Sequence, residues 1–65
     1  MMHTFKLHWI DCVVSAIISS TKRYWNGVGW TMEKQEALTY TYGDAMRVAW
    51  RMKYDGITSA MAEAA

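Results

Sequence analysis

The chain has no proline and only one cysteine, Cys12, among its 65 residues. A single thiol excludes an intrachain disulfide and favours a reducing, intracellular compartment. No repeat, linker or low-complexity tract divides the sequence, and its length leaves room for one domain, residues 1–65. A domain this short buries only about 60% of the surface that its unfolded chain exposes, so its side chains must supply an unusually apolar core.

The chain also lacks a charge excess and a long hydrophobic run. Seven Lys and Arg face six Asp and Glu, giving a net charge of +1, whereas a dedicated nucleic-acid binder usually shows a strong basic excess. The longest apolar stretch, residues 12–18, is far shorter than the ~20 residues that span a membrane. His8 and Asp11 interrupt the only candidate signal peptide. We therefore expect a cytoplasmic protein without membrane contact.

Patterns typical of catalytic and metal sites are missing as well. The one metal-like cluster is His3, His8, Asp11 and Cys12, and on a strand the two histidines would point to opposite faces. No Gly-x-Ser-x-Gly elbow is present, and a thiol followed by two valines is expected to be buried and inert. The sequence predicts no enzyme, no metal and no cofactor.

Aromatic residues are abundant, with four Trp, four Tyr and one Phe, and several of them surround an Asn-Gly pair. Asn26-Gly27 is the preferred pair for a type I′ turn, and its aromatic and β-branched flanks favour strands. We predict a hairpin over residues 22–31, with strands near 22–25 and 28–31. In such a two-residue hairpin Trp25 pairs with Val28.

An amphipathic helix is predicted for residues 42–54. Thr41 fits its N-cap, with Asp44 three residues further on, and Gly56 fits the position that follows its C-terminus. Apolar residues recur at helical spacing along one face. These residues are Ala45, Val48, Ala49 and Met52.

The other segments carry weaker patterns. Residues 4–10 alternate as a strand, and 37–40 predict a third short strand. Residues 11–20 fit a helix face but contain strand-forming Val and Ile, and helix is the reading we favour. Residues 57–65 lean towards helix and also alternate well enough for an edge strand. The predicted fold is α+β, with an antiparallel sheet of about three strands packed against one helix.

The outer face of the helix carries Arg47 and Arg51. One interpretation is a solvated face stabilised by ion pairs of these arginines with Asp44 and Asp55. The other is a basic patch for nucleic acid or an acidic protein surface. That patch comprises Arg47, Arg51, Lys22 and Arg23.

Nine aromatic residues exceed what one side of a small sheet can cover. Because strand side chains alternate, Tyr24 and Trp25 must point to opposite faces. Exposed Trp and Tyr dominate binding hot spots. We expect the two glutamates on the connection after the hairpin to form an acidic pole opposite the basic helix face. The predicted partner-binding residues are Tyr24, Trp25, Trp30, Glu33, Glu36, Arg47 and Arg51.

The chain resembles small proteins encoded by phages and mobile elements. The residues that carry the resemblance are 22–27 (KRYWNG), 29–31 (GWT), Ala37, Asp44-Ala45 and Val48-Ala49. The resemblance covers residues 22–56 and implies a hairpin, a third strand and one packed helix. Several phage proteins of this size are anti-CRISPR proteins, which bind an effector complex through acidic or aromatic surfaces. These proteins share no motif, so no functional residue is transferred to this chain.

The expected function is therefore non-enzymatic binding. The leading hypothesis is a phage or mobile-element inhibitor that binds a host defence complex in the host cytoplasm, with a CRISPR effector as the sharpest version of that partner. The alternative is a small nucleic-acid-binding or regulatory module that uses the basic helix face.

Overall fold

Strand β1, Cys12–Ile18, is the centre of the computed structural model, which describes residues 11–65. The helix expected for 11–20 is wrong. Residues 12–16 are all buried, and β1 has strands on both sides. A strand that is buried on both faces has a continuous run of apolar residues in place of alternation. Periodicity cannot distinguish such a run from a buried helix. The strand expected for residues 4–10, His3 and His8 lie outside the described residues.

The predicted small α+β fold, an antiparallel sheet packed against one helix, is confirmed. Its sheet has four strands in the order β3-β2-β1-β4, and every neighbouring pair is antiparallel. The other elements are β2 (Thr21–Trp25), β3 (Trp30–Thr31), a 3₁₀ helix (Lys34–Glu36), helix α1 (Tyr42–Tyr54) and β4 (Met61–Ala64).

The first hairpin joins β1 to β2 through a two-residue turn at Ser19 and Ser20. Ile18 pairs with Thr21, and the two serines have φ of 51° and 66°. Positive φ at both central positions is the property of a type I′ turn. The type I′ turn therefore occurs one hairpin earlier than predicted, at residues that lack the Asn-Gly signature.

The predicted two-residue turn at Asn26-Gly27 is wrong. Trp25 pairs with Trp30, so the loop between β2 and β3 has four residues, and Val28 is exposed in it. The Asn26 Oδ1 accepts hydrogen bonds from the amides of Val28 and Gly29 at 2.9 and 2.8 Å. These bonds hold the wider loop, because a short Asn side chain can replace a backbone turn partner.

The third strand expected at 37–40 is reduced to a single bridge. Tyr40 exchanges backbone hydrogen bonds of 2.9 and 2.8 Å with Cys12. The register of β2 with β1 begins at the pair Ser15 and Tyr24, which leaves the Cys12 end of β1 open on that side. One extended residue fills this gap, so no full strand forms.

Helix α1 has the predicted bounds. The Thr41 Oγ1 accepts a hydrogen bond from the Asp44 amide at 3.3 Å. At the other end Gly56 has φ of 109°, and the amide of Ile57 donates to the Met52 carbonyl at 2.9 Å. This left-handed glycine followed by a six-to-one hydrogen bond is a Schellman motif, which stops the helix.

The core lies between α1 and the face of the sheet that Cys12, Val14 and Ala16 present, here called the helix face. Ala45 and Ala49 of α1 are buried against it, and the tail returns as edge strand β4. The strand alternative for 57–65 is therefore correct. Within residues 11–65, no helix is long and apolar enough to cross a membrane.

Candidate functional site

Helix α1 covers only half of the helix face. It packs on β1 and β4, so no helix of residues 11–65 lies above the helix-face side chains of β2 and β3. An open groove of about 580 Å³ runs between α1 and these strands. We call it the aromatic groove, because Trp25, Trp30 and Tyr40 form its sheet side.

The floor of the aromatic groove is a tryptophan pair. Trp25 and Trp30 are direct cross-strand partners, with ring centroids 5.3 Å apart and planes at 63°, an edge-to-face arrangement. Both rings pack partly against the core and are otherwise accessible. This mutual contact fixes the orientation of two large apolar surfaces before any partner arrives.

The opposite wall is the flank of α1 that carries Val48 and Met52, continued by Ile57 after the helix ends. All three side chains are half-buried and pack against the core. The groove is therefore apolar on both sides, and its shape is held by the same contacts that hold the fold.

The rim of the groove is charged. Arg51 Nε lies 3.6 Å from Asp55 Oδ2, and both side chains are largely exposed, so solvent screens this pair. The predicted Asp44–Arg47 ion pair is not among those formed within residues 11–65. Arg47 therefore adds a positive charge at the rim that no carboxylate in this part of the chain neutralises.

The structure brings four of the seven predicted partner-binding residues together, namely Trp25, Trp30, Arg47 and Arg51. The remaining three lie elsewhere. Tyr24 points to the opposite face of the sheet. Glu36 accepts a 2.9 Å hydrogen bond from Thr31 Oγ1, and Glu33 precedes the 3₁₀ helix, so both belong to the connection after β3.

The four residues of the predicted basic patch do not share one surface. Lys22 extends from the opposite face of the sheet, where its Nζ lies 5.7 Å from the Tyr24 ring centroid and 3.0 Å from Glu63 Oε2. Arg23 faces the helix side, and its buried Nε has no hydrogen-bond partner among residues 11–65. Of these four residues, Arg47 and Arg51 are the ones that place a positive charge beside the aromatic groove.

The Lys22–Glu63 pair is a structural cross-strand contact. Burial raises the pKa of Glu63, but the nearby Ser15 hydroxyl and the Lys22 ammonium outweigh it, so the pKa lies below its ordinary value. Ser15 acts by proximity, because its Oγ makes no conventional hydrogen bond. The Glu63 hydrogen bond raises the pKa of Lys22. Both shifts favour the charged forms.

Sequence reasoning missed Tyr40, Val48, Met52 and Ile57 as groove residues. Helical spacing predicts that Val48 and Met52 belong to the core stripe of the helix, and the structure shows that this stripe is wider than the contact with β1 and β4. No pattern in the sequence reports which strands a helix covers.

Within residues 11–65, no three His, Cys, Asp or Glu side chains lie close enough to hold a metal ion. The Cys12 thiol is buried in the core. Comparisons with protein-family models, curated proteins and solved structures find no match to this chain.

Proposed function

We propose that this chain is a non-enzymatic binding protein whose aromatic groove holds an apolar segment of a partner protein that also carries acidic side chains. The observation that supports this proposal best is the oriented Trp25–Trp30 pair, left uncovered by α1 and bordered by Arg47.

The apolar part of the proposal follows from the groove lining. Tryptophan is enriched in binding hot spots because it buries a large area with few rotatable bonds. Here the two tryptophans are already held against each other and against the core. Binding of a partner therefore immobilises few additional side chains of this protein and costs little conformational entropy. One face of a short amphipathic helix, with apolar side chains at i, i+3 and i+4, fits such a groove.

The acidic part follows from the rim. The rim carries two positive charges, Arg47 and Arg51, and one negative charge, Asp55, which already contacts Arg51. An Asp or Glu next to the apolar anchors of the partner would pair with Arg47 and fix the direction of the segment.

The sharper form of this proposal comes from the sequence resemblance. The partner would be a subunit of a host defence complex, the chain a phage or mobile-element inhibitor of the anti-CRISPR type, and the site of action the host cytoplasm. The aromatic groove supports a protein partner in general and is compatible with this one.

Nucleic acid is the second candidate, because aromatic rings beside arginines also stack single-stranded bases. The separation of Lys22 from Arg47 and Arg51 leaves only a short basic rim to follow a phosphate backbone. This arrangement favours the protein partner.

The test is selection of short peptides from a display library on the wild-type protein, followed by affinity measurement on variants. We expect peptides with spaced apolar residues and an acidic residue. Arg47→Ala should weaken them about tenfold, the effect of one lost charge-assisted contact. Lys53→Ala is the matched control, since it removes the same charge from the other flank of α1.

The same protein is titrated with single-stranded oligonucleotides at two salt concentrations. Tight binding that falls steeply with salt, with no peptide enriched, would replace the protein partner with nucleic acid.

A further inference from the structure

Among the described residues, β4 forms one edge of the sheet, and its outer hydrogen-bonding groups can be assigned from its register. The Ala65 amide donates to the Asp11 carbonyl at 2.9 Å, so that pair is hydrogen-bonded. Antiparallel ladders alternate bonded and non-bonded pairs. The pairs of β1 with Glu63 and Met61 are then bonded, and the amides and carbonyls of Ala62 and Ala64 point away from β1.

Within residues 11–65, β4 carries no proline, lysine or bulge, and its one charged side chain, Glu63, already pairs with Lys22 across the sheet. Proteins protect edges with proline, lysine, bulges or covering loops. Residues 61–64 read Met-Ala-Glu-Ala, and their register with β1 is continuous without a bulge. The strand can therefore accept an additional antiparallel neighbour.

Exposed apolar side chains adjoin the same edge. Met46 and Trp50 project from the flank of α1 that faces β4, and Met61 lies at the start of that strand; they are 47%, 70% and 50% exposed. We call these three residues the β4 flank. Met46 and Trp50 lie on the other side of α1 from the aromatic groove, whereas the Met61 side chain, opposite Ser15 in the register, lies on the face of the sheet away from α1. None of the three lines the aromatic groove, so the β4 flank is independent of the proposed function.

We propose that the β4 edge and the β4 flank form the contact between two copies of this chain, joined by antiparallel β4–β4 pairing about a two-fold axis. An antiparallel strand pair of identical sequence is self-complementary, as a two-fold interface requires. The result is one continuous sheet of eight described strands with both α1 helices on the same side.

The side chains select the register of this pairing. Centring the axis on Glu63 would place two carboxylates directly opposite each other, which is unfavourable. Centring it on Ala62 places Glu63 opposite Met61 of the second copy. The two Ala62 residues then exchange both backbone hydrogen bonds, and the amide of Ala64 reaches the carbonyl of Ala60.

Helix spacing provides an independent reason for a second copy. Helix α1 packs on β1 and β4 equally and so lies over the space between them. Neighbouring strands are ~4.8 Å apart, and the two-fold axis lies midway between the two β4 strands. Each helix therefore lies one strand spacing from the axis, and the two helices are about 10 Å apart. This is the distance at which helices pack, about 8–10 Å, and Met46 and Trp50 of the two copies would fill the space between them.

The contact is small, because it consists of one short strand and three side chains from each copy. Interfaces below the standard size are weak, so we expect a concentration-dependent dimer with a dissociation constant in the micromolar range. The aromatic grooves remain open at the two outer sides of this dimer.

The test is sedimentation equilibrium of the full chain over a concentration series from low to high micromolar. Wild type should shift from monomer to dimer. Ala62→Pro should remove the dimer while preserving the monomer, because the Ala62 amide makes no bond to β1. Trp50→Ala should weaken it without touching the backbone. Tyr54→Ala, at an 85% exposed position on the same helix, is the matched control and should dimerise as wild type does.

Circular dichroism establishes that each variant is folded. A wild type that stays monomeric throughout would overturn the proposal. A dimer that survives both Ala62→Pro and Trp50→Ala would place the contact on another surface and overturn it equally. A monomeric wild type that binds an extended partner peptide in an Ala62-dependent way would assign the edge to a different occupant.

Discussion

The two halves of the helix face differ in the size of their side chains. Where α1 covers β1 and β4, the contact consists largely of alanine, and the alanines are buried. Where β2 and β3 continue the sheet, the side chains are Trp25 and Trp30, and α1 does not cover them. We call these regions the closed half and the open half. The alanines of the closed half are Ala16, Ala45, Ala49 and Ala60.

This difference explains where the helix lies. Small side chains let the helix approach the sheet closely, whereas two tryptophans would hold it away. A helix centred over Trp25 and Trp30 would lose contact with the alanines, so α1 settles on the closed half. Stability and the proposed binding are thereby separated, and single substitutions can distinguish them.

The largest effect is expected in the closed half. Ala49 is 4% exposed and contacts the core, so Ala49→Glu buries a charge without a partner. The cost is about 3–5 kcal/mol, comparable to leaving one member of a buried pair uncompensated, and most of the stability of a small domain. Loss of the cooperative thermal transition by circular dichroism is the expected result.

Tyr54→Glu is its control, on the same helix at an 85% exposed position. It should change the free energy of unfolding by less than about 0.5 kcal/mol. An unchanged melting curve for Ala49→Glu would mean that the closed half does not hold the fold.

In the open half, Trp30→Ala should affect binding more than folding. Trp30 is only partly buried, so we expect a loss of about 1–2 kcal/mol in stability, well below the ~3–5 kcal/mol of a fully buried tryptophan. Peptide affinity should fall by at least about thirtyfold, which corresponds to the ~2 kcal/mol or more of a hot-spot residue. Titration calorimetry beside a denaturant melt measures both. A stability loss as large as that of Ala49→Glu would erase the distinction between the halves.

The loop that joins β2 to β3 contains two glycines with different requirements. Gly27 has φ of 104°, and an added Cβ would lie 3.3 Å from Leu38 Cδ2, while a Cβ at Gly29 meets nothing within 4 Å. Gly27→Ala should cost about 1–2 kcal/mol and Gly29→Ala much less. Chemical denaturation of the two variants should separate their midpoints; coincident midpoints would contradict the loop geometry.

A glycine in the type I′ turn of the first hairpin should stabilise the fold. Ser20 has φ of 66°, which a residue with a side chain adopts at a cost. Ser20→Gly should raise the free energy of unfolding by up to about 1 kcal/mol, because glycine relieves the left-handed conformation at some cost in unfolded-state entropy. A lowered midpoint in urea would show that the serine side chain contributes more than its backbone costs.

The smallest effect is a pH dependence. The pKa of Glu63 is lowered in the folded chain, so its contribution to stability is present above the ordinary carboxyl value of 4.5 and is lost as pH falls through the folded pKa. Glu63→Gln should flatten the acid limb of the stability curve without changing its slope near neutrality. Melting temperatures from pH 3 to 7 measure this. An acid limb identical to that of wild type would show that Glu63 does not contribute to the pH dependence of stability.

The sequence predicted helix α1 to the residue because its signals are local: a capping threonine, helical spacing and a stopping glycine. It misplaced the type I′ turn because Ser19-Ser20 carries no composition signal, while Asn26-Gly27 carries one that the Asn26 side chain uses differently. It misread β1 because a strand buried on both faces loses its alternation.

The candidate site was predictable where it depends on residue type and not where it depends on contacts between distant parts of the chain. Residue type identified Trp25, Trp30, Arg47 and Arg51 as suitable anchors, and the structure places them around one groove. The offset of α1 over the sheet, which opens that groove, depends on contacts between residues distant in the chain. No local pattern reports it, so Tyr40 and Ile57 could not be identified as members.

The most direct test of the separation between halves follows the tryptophan indole N–H signals by NMR while an acidic peptide, selected on the wild-type protein, is titrated in. At concentrations where the chain is monomeric, we expect the Trp25 and Trp30 signals to shift and saturate together, while the Trp50 signal, from the other flank of α1, stays in place. A Trp50 signal that moves with the binding curve while those of Trp25 and Trp30 remain fixed would contradict it.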